Sequence, residues 1–250
     1  MLLCGMLLTA LCVTVSAADA APEWKAGVAA VDITPSGPLW MAGYAARTAP
    51  ADGTIHPLWV KALALEDAAG NRALLVTSDI LGYPKAVSDR LLARFEKEAG
   101  LRPDQVILNS SHTHSGPVVD GSLMCIYPLD DAERAKIRAY TGSLEEKTVA
   151  AGLQALAALA PARLEAGAGV TRFAVNRRNN KEAEITSVFE LKGPSDHSVP
   201  VLRVTGPDGA ERAVLFGYAC HNTTLDTLQW CGDYAGFAQL AVEESHPGAV

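Results

Sequence analysis

The sequence has no run of basic residues longer than the pair Arg177 and Arg178, and its formal net charge is -7 at pH 7. Because a nucleic-acid partner requires clustered Lys and Arg to neutralise its phosphates, this composition argues against nucleic-acid binding as the main function. Low-complexity linkers are also absent, and nothing marks a boundary between domains. With 250 residues, of which 49% are hydrophobic, the chain can bury the core of one large domain or two small ones. One domain is the simpler interpretation.

Long apolar runs occur only at the N-terminus, where residues 1–21 combine an apolar stretch with the small-residue pattern Ala18-Asp19-Ala20. This arrangement predicts a signal peptide, although no Lys or Arg precedes the apolar stretch, and a retained anchor is the alternative. We therefore expect residues 22–250 to form an exported domain that is secreted or periplasmic. No later stretch is apolar for long enough to cross a bilayer.

Cysteine is scarce after the predicted signal peptide, where only Cys125, Cys220 and Cys231 remain. Three thiols in an exported protein permit one disulfide with one free thiol, or three free thiols. The sequence does not choose between these two states, and it gives no indication of the oligomeric state.

Strand and helix patterns alternate along residues 22–250. The turn sequences AAGN and PDGA each separate two strand patterns, which predicts two β-hairpins. A helix between Pro84 and Gly100 leads from the first hairpin to another strand, which predicts a parallel crossover. We therefore expect an α/β fold, a single domain of mixed β-sheet layers with flanking helices, truncated at the C-terminus where residues 246–250 lead into another strand. The predicted strands are 25–33, 60–67, 72–79, 105–114, 162–170, 200–206 and 212–220, and a second helix is predicted at 144–160.

Two of the six histidines, His112 and His114, stand one residue apart at the end of a predicted strand. Side chains alternate in a strand, so both rings are expected on the same face. Two imidazoles on one face can bind a single ion at about 2.0–2.1 Å, as in zinc sites, and a hydrogen-bonded pair lining a loop is the alternative. His221 favours the metal site, because it also follows a predicted strand and precedes the polar residues Asn222, Thr223 and Thr224.

Acidic and basic residues that could belong to the same site also lie at the ends of predicted strands or in predicted loops. Asp79 and Asp233 could ligate a metal, accept an N–H from a ligand histidine or orient a water molecule. For Asp79, a turn or helix-cap residue at the end of a strand is the alternative. Arg47 and Arg177 lie in predicted loops, where a surface guanidinium is the ordinary expectation, although Arg177 with the adjacent Arg178 could bind a carboxylate or a phosphate.

Several segments together resemble the N-terminal catalytic domain of the neutral/alkaline non-lysosomal ceramidase family. The resemblance extends from about Val28 to the last residue, and one departure is SHTHSGP where the family has a motif of the type THTHSGP. The segments that carry it, in order, are GVAAVDITP, MAGYAAR, HPLWVKALALED, RALLVTSD, VILNSSHTHSGP, VNRR, VPVLRV, YACHNTTL and GDYAGFAQ.

The resemblance implies a zinc amidohydrolase that cleaves ceramide to sphingosine and a fatty acid. It implies that His112 and His221 bind zinc (Zn²⁺) and that His114 lies in the site near the substrate as a catalytic residue. It also places a glutamate and a tyrosine ligand, and a catalytic serine, beyond residue 250. The expected partner is a lipid or N-acyl amine substrate, with peripheral membrane contact. A secreted metal hydrolase for another amide or ester and a non-catalytic binding module on the same scaffold are the alternatives.

Overall fold

The computed structural model describes residues 24–181, 183, 185 and 190–250. The signal peptide predicted at residues 1–21 lies outside the described residues. Within the part that is described, no helix is both long enough and apolar enough to cross a membrane.

Most of the strands form one seven-stranded mixed sheet in the order β5-β4-β3-β1-β6-β7-β8, and the two short strands β2 and β9 pair in parallel beside it. Three α-helices complete the described regular structure, apart from short 3₁₀ turns. The elements are β1 (Trp24–Asp32), β2 (Gly53–Thr54), β3 (Trp59–Asp67), β4 (Arg72–Ser78), α1 (Lys85–Ala99), β5 (Val106–Ser110), α2 (Asp131–Ala157), β6 (Ala160–Val170), β7 (Ser198–Thr205), β8 (Glu211–Phe216), β9 (Gln229–Trp230) and α3 (Asp233–Ser245).

Both predicted hairpins are confirmed, since β3 pairs antiparallel with β4 and β7 pairs antiparallel with β8. The predicted crossover is confirmed as well, because β4 and β5 are parallel and α1 lies between them in the chain. α1 ends where expected, at Gly100, which has a left-handed φ of 67° and donates its N–H to Glu96 O. The mixed α/β fold class and the single domain are therefore confirmed.

The two faces of the sheet pack against different partners, because side chains alternate along each strand. On β3, Val60, Ala62 and Ala64 belong to the large core that includes α1 and α2. Leu63 of the same strand faces the other way, into a smaller core with Ala213 of β8. The second half of the sheet therefore curves over the face that α1 and α2 leave free, and this brings β8 close to β3.

Gly27 shows how closely α2 packs on the sheet. A Cβ atom at this position would lie 2.1 Å from the main-chain oxygen of Ala155 in α2. No other residue type fits without moving the helix away from β1, so this glycine sets the spacing between the two layers.

Three predicted boundaries are wrong by four residues or more. β5 ends at Ser110 and not at residue 114, because Ser78 is the last residue of β4 that can pair with it. β8 ends at Phe216 and not at residue 220. α2 begins at Asp131 and not at residue 144, because its first turn is capped by Asp130, whose carboxylate accepts the N–H of Glu133.

Candidate metal centre

Three histidines from two distant segments bring their side-chain nitrogens together. The Nε2 atom of His114 lies 3.4 Å from Nε2 of His112 and 3.1 Å from Nε2 of His221. One ligand atom from each ring falls within 4.8 Å of the other two, and no fourth His, Cys, Asp or Glu of the described residues joins this group. We call these three residues the histidine cluster.

The two segments that carry the histidine cluster follow β5 and β8, the two outermost strands of the sheet. Because the second half of the sheet curves over the first, the loops that leave these strands meet at the same end of the molecule. The ring centroids of His112 and His221 are 4.9 Å apart, with the rings nearly parallel. The expectation that a histidine following β8 would join the pair following β5 is met in the structure.

The reason why His112 and His114 meet differs from the prediction. They do not alternate on a strand, because β5 has already ended and His112 has a left-handed φ of 59°. A turn brings the rings together, and the buried Thr113 fixes it. The hydroxyl of Thr113 donates to Cys231 O at 2.8 Å and accepts the N–H of Ser115 at 3.0 Å.

Hydrogen bonding and burial leave the nitrogens of the cluster in the form that binds metals. Nδ1 of His112 lies 2.6 Å from the carbonyl oxygen of Leu81. A carbonyl only accepts, so Nδ1 carries the proton and Nε2 presents its lone pair to the cluster. Burial, with the neighbouring His221 and His112, lowers the pKa of His114 to about 4. Burial, then His112 and Arg177, lowers the pKa of His221.

The spacing of the cluster fits a tetrahedral ion. Two nitrogens bound to zinc at about 2.0–2.1 Å in tetrahedral geometry are about 3.3–3.4 Å apart. The separations of His114 Nε2 from Nε2 of His112 and of His221, 3.4 and 3.1 Å, are close to that value, so by spacing alone His114 is within reach of the same ion as the other two rings. Neutral imidazoles are also the donors that zinc takes in proteins. The residues present therefore fit a zinc ion, with the exposed rings of His112 and His221 facing solvent and His114 behind them.

His114 is held in place by a glycine that no other residue could replace. Residues 40–42 run beside residues 116–118 through the bridge between Met41 and Pro117, which places Gly43 against the ring. A Cβ on Gly43 would lie 2.3 Å from Cγ of His114, and the φ of this glycine is +105°. Its N–H donates to the hydroxyl of Tyr127 at 2.8 Å.

Arg47 links the two segments that carry the histidines. Its guanidinium donates to the carbonyl oxygens of His114 and Thr227, each at 2.9 Å, and lies over the ring of Tyr44. Only 7% of Arg47 is exposed, and burial lowers the pKa of its guanidinium. The expectation of a surface guanidinium at this position was wrong. No local pattern predicts its role, because both partners are main-chain oxygens far away in the chain.

Asp79 and Asp233, the two acidic candidates, are buried, and neither touches a ring of the histidine cluster. Asp79 accepts the N–H of Trp59 at 3.0 Å, and burial raises the pKa of its carboxyl. It lines a cavity of about 350 Å³ between the sheet, β8 and α3. Asp233 accepts hydrogen bonds from Thr224 and Leu225 in the loop that carries His221.

Arg177, the basic candidate, is exposed, and it forms no hydrogen bond or ion pair through its side chain with another described residue. Its charge contributes to lowering the pKa of His221. The structure also answers the question of the thiols, because Cys125, Cys220 and Cys231 are all free.

Comparisons with known proteins point to one family. Residues 24–249 match the family model for neutral/alkaline non-lysosomal ceramidase, N-terminal. The fold is similar to that of neutral ceramidase from Pseudomonas aeruginosa, with a TM-score of 0.75 and 25% identity over 93% of this chain and 38% of that one. It is also similar to a ceramidase complexed with C2, with a TM-score of 0.74 and 25% identity over 92% of this chain and 37% of the other. The comparison with curated protein sequences returned no match.

Proposed function

Because this chain belongs to the neutral/alkaline non-lysosomal ceramidase family, we propose that it forms the histidine-bearing part of a zinc-dependent amidohydrolase. Its proposed reaction is cleavage of the N-acyl amide of ceramide-like lipids to a sphingoid base and a fatty acid. The chain spans 38% and 37% of the length of the two structures it resembles. The activity of the whole enzyme is therefore proposed for this chain. The single observation that carries the proposal is the convergence of three Nε2 atoms from the segments after β5 and β8.

In this proposal His112 and His221 are the zinc ligands of the chain. Nε2 of His112 is free to coordinate because Nδ1 donates to Leu81 O, and both rings are open to solvent and hence to a substrate. A zinc ion held there supplies Lewis-acid polarisation of an amide carbonyl. Two ligands are fewer than the three that catalytic zinc sites usually have. We propose that the remaining ligands are the glutamate and the tyrosine that the family resemblance implies.

His114 is proposed to act on the substrate. With a pKa lowered to about 4, the ring is neutral at pH 7 and is a weak base. A neutral imidazole still has one N–H to donate, and a fixed donor beside a reacting carbonyl stabilises the negative charge that develops on its oxygen. Gly43 and Tyr44 pack against the ring and hold it in one orientation. Because Nδ1 is buried against Gly43, we assign to Nε2 of His114 a hydrogen bond to the developing oxyanion or to the leaving amine.

Arg177 completes the proposed site as a substrate-binding residue. An amide hydrolase releases a carboxylate, and a guanidinium is well suited to bind one. Arg177 is exposed and close enough to His221 for its charge to affect that ring. The location of the protein, secreted or periplasmic, and its peripheral membrane contact remain predictions from the sequence and the family.

Two measurements on the same sample test the proposed function. The protein is purified without chelator, its zinc content is determined, and release of fatty acid is followed from ceramide and a panel of other N-acyl amines. We expect bound zinc and cleavage of ceramide-like amides. Zinc without amide cleavage would indicate a metal hydrolase for another substrate, and the absence of both would indicate a binding module on this scaffold.

A further inference from the structure

Asp233 makes an unusual set of contacts for a buried carboxylate. It is fully buried, and among the described residues its oxygens accept hydrogen bonds only from main-chain N–H groups and one hydroxyl. Thr224 donates its N–H at 3.0 Å and its hydroxyl at 2.7 Å, and Leu225 donates its N–H at 2.8 Å. The N–H of Tyr234 donates at 2.6 Å. These donors satisfy the oxygens of the buried side chain, as buried polar groups require.

The hydrogen bonds of Asp233 join the start of α3 to the loop that carries His221. Thr224 and Leu225 lie three and four residues after this histidine. The buried Asn222, directly after His221, also joins the loop to the start of α3. Asn222 donates to Gly232 O at 2.9 Å and accepts the N–H of Ala235. The loop is therefore fixed to α3 immediately after His221, through its side chains as well as its backbone.

The backbone of Asp233 is in a conformation that needs support. Its φ is +56°, in the left-handed region that few residues other than glycine adopt. The same side chain that binds the His221 loop also accepts the N–H of Tyr234, the next residue of α3. Such a conformation persists only where the surrounding structure holds it, and here burial and the hydrogen bonds of the side chain do so.

The other two histidines are anchored to the same short segment. The hydroxyl of Thr113, which lies between His112 and His114, donates to Cys231 O, and the N–H of Cys231 donates to Ser115 O. Residues 231–235 therefore bind both histidine segments, one through Thr113 and the other through Asp233. The distance between the two halves of the histidine cluster depends on this common anchor.

We infer that Asp233 is a positioning residue, which holds the ring of His221 beside that of His112 so that both can bind one metal ion. The inference rests on the metal centre of the proposed function, but it concerns a residue that touches neither the metal nor the substrate. Asp233 acts through the Thr224–Leu225 segment, so its loss changes the position of one ring and leaves the other two where they are.

The test compares two variants in which asparagine replaces an aspartate, at positions close together in the sequence. Asp233→Asn removes one acceptor from the loop and introduces an amide donor that faces main-chain N–H groups. Asp226→Asn makes the same replacement at an exposed residue of the same loop. The side chain of Asp226 makes no hydrogen bond to the backbone of the described part of this loop. Dissociation constants for Co²⁺ and Zn²⁺ are measured by competition with a chromophoric chelator, and the visible spectrum of the Co²⁺ protein is recorded. We expect binding at least tenfold weaker and an altered spectrum for Asp233→Asn, with both unchanged for Asp226→Asn.

A measurement on the metal-free protein tests the same point without the metal. The rings of His112 and His221 are 4.9 Å apart, so selectively labelled histidines give a nuclear Overhauser effect between them. We expect it to be lost in Asp233→Asn and kept in Asp226→Asn. An Asp233→Asn protein that keeps both the ring contact and the wild-type affinity would overturn the inference. Failure of the wild-type protein to bind either metal would contradict the proposed metal centre, while the ring contact would still decide the role of Asp233.

A milder pair of variants covers the case in which Asp233→Asn does not fold. Thr224→Val removes the hydroxyl that donates to Asp233 at 2.7 Å, whereas Thr224→Ser keeps it. We expect metal affinity to fall several-fold in the first variant and to be retained in the second. Equal affinities in Thr224→Val and Thr224→Ser would count against the inference.

Discussion

Nε2 of His221 lies 3.1 Å from Nε2 of His114, although 107 residues separate them in the sequence. The contact joins a loop after β8 to a turn after β5, and these strands lie at opposite ends of the sheet order. The sheet must therefore curve for the contact to form. Any change that flattens the sheet or shifts either loop is expected to separate His221 from the other two rings of the histidine cluster.

Removing the histidines one at a time should distinguish their roles. We expect His112→Ala and His221→Ala to abolish zinc loading, because each removes one of the two proposed ligands. His114→Ala should retain most of the zinc and lose about 100- to 1,000-fold in turnover, the scale of one lost oxyanion donor. Zinc content by elemental analysis and turnover on ceramide check this. His246→Ala, outside the cluster, is the control, and equal zinc loss in all three cluster variants would instead make His114 a ligand.

Gly43→Ala should disturb His114 directly. The new Cβ would lie 2.3 Å from Cγ of His114, and alanine is strained at a φ of +105°. We expect a loss of about 2–5 kcal/mol in the free energy of unfolding, from strain of about 1–2 kcal/mol and overpacking of about 1–3 kcal/mol, together with a loss of turnover.

Gly70→Ala is the matched control for this prediction. Gly70 has a φ of +83° in the β3–β4 turn, with open space where its Cβ would be. The free energy of unfolding of Gly70→Ala should fall only by the backbone strain of about 1–2 kcal/mol, and the variant should keep its activity. Urea unfolding and turnover measure both effects. Equal stability losses and equal turnover in the two variants would show that Gly43 does not constrain the ring.

Arg47→Lys should weaken the link between the two histidine segments. A lysine ammonium cannot reproduce the planar fork that donates to His114 O and Thr227 O, so at least one buried carbonyl loses its partner. We expect a loss of about 1–3 kcal/mol in the free energy of unfolding and weaker zinc binding. The control is Arg102→Lys, which changes an exposed guanidinium paired with Asp104 and should alter neither measurement. Wild-type stability in Arg47→Lys would contradict this role.

Local sequence signals predicted the elements of the fold but not the way in which the site is assembled. The hairpins and α1 follow from alternating residues, turn sequences and the stop at Gly100, all of which act over a few residues. The length of β5 depends on where β4 stops, which is a tertiary property, and so the alternation expected for His112 and His114 was wrong. The burial of Arg47 could not be predicted, because its partners are main-chain oxygens 67 and 180 residues away.

The last prediction concerns the pH dependence of stability and Asp79. Burial raises the pKa of this carboxyl above its ordinary value of 3.8, against the opposing effects of the Trp59 N–H, Ser111 and Lys61. Between 3.8 and the higher pKa of the folded state, the folded protein binds more protons at this site than the unfolded chain does. This contribution to the free energy of unfolding therefore decreases as the pH rises through that interval. Asp79→Asn removes the titration and keeps an oxygen that can accept the N–H of Trp59.

We expect the stability of Asp79→Asn relative to the wild-type protein to increase with pH from about 4 upward, because only the wild-type protein must then ionise a buried carboxyl. Urea unfolding of the metal-free proteins at a series of pH values measures this difference, in which the titration of the histidine cluster cancels. Asp104→Asn is the contrasting variant. A hydrogen bond from Arg102 lowers the pKa of Asp104, so its wild-type carboxylate stabilises the fold more as the pH rises, and the relative stability of Asp104→Asn should change in the opposite direction. A pH-independent difference for Asp79→Asn would mean that the folded protein does not perturb the ionisation of this carboxyl, and that water from the neighbouring cavity reaches it.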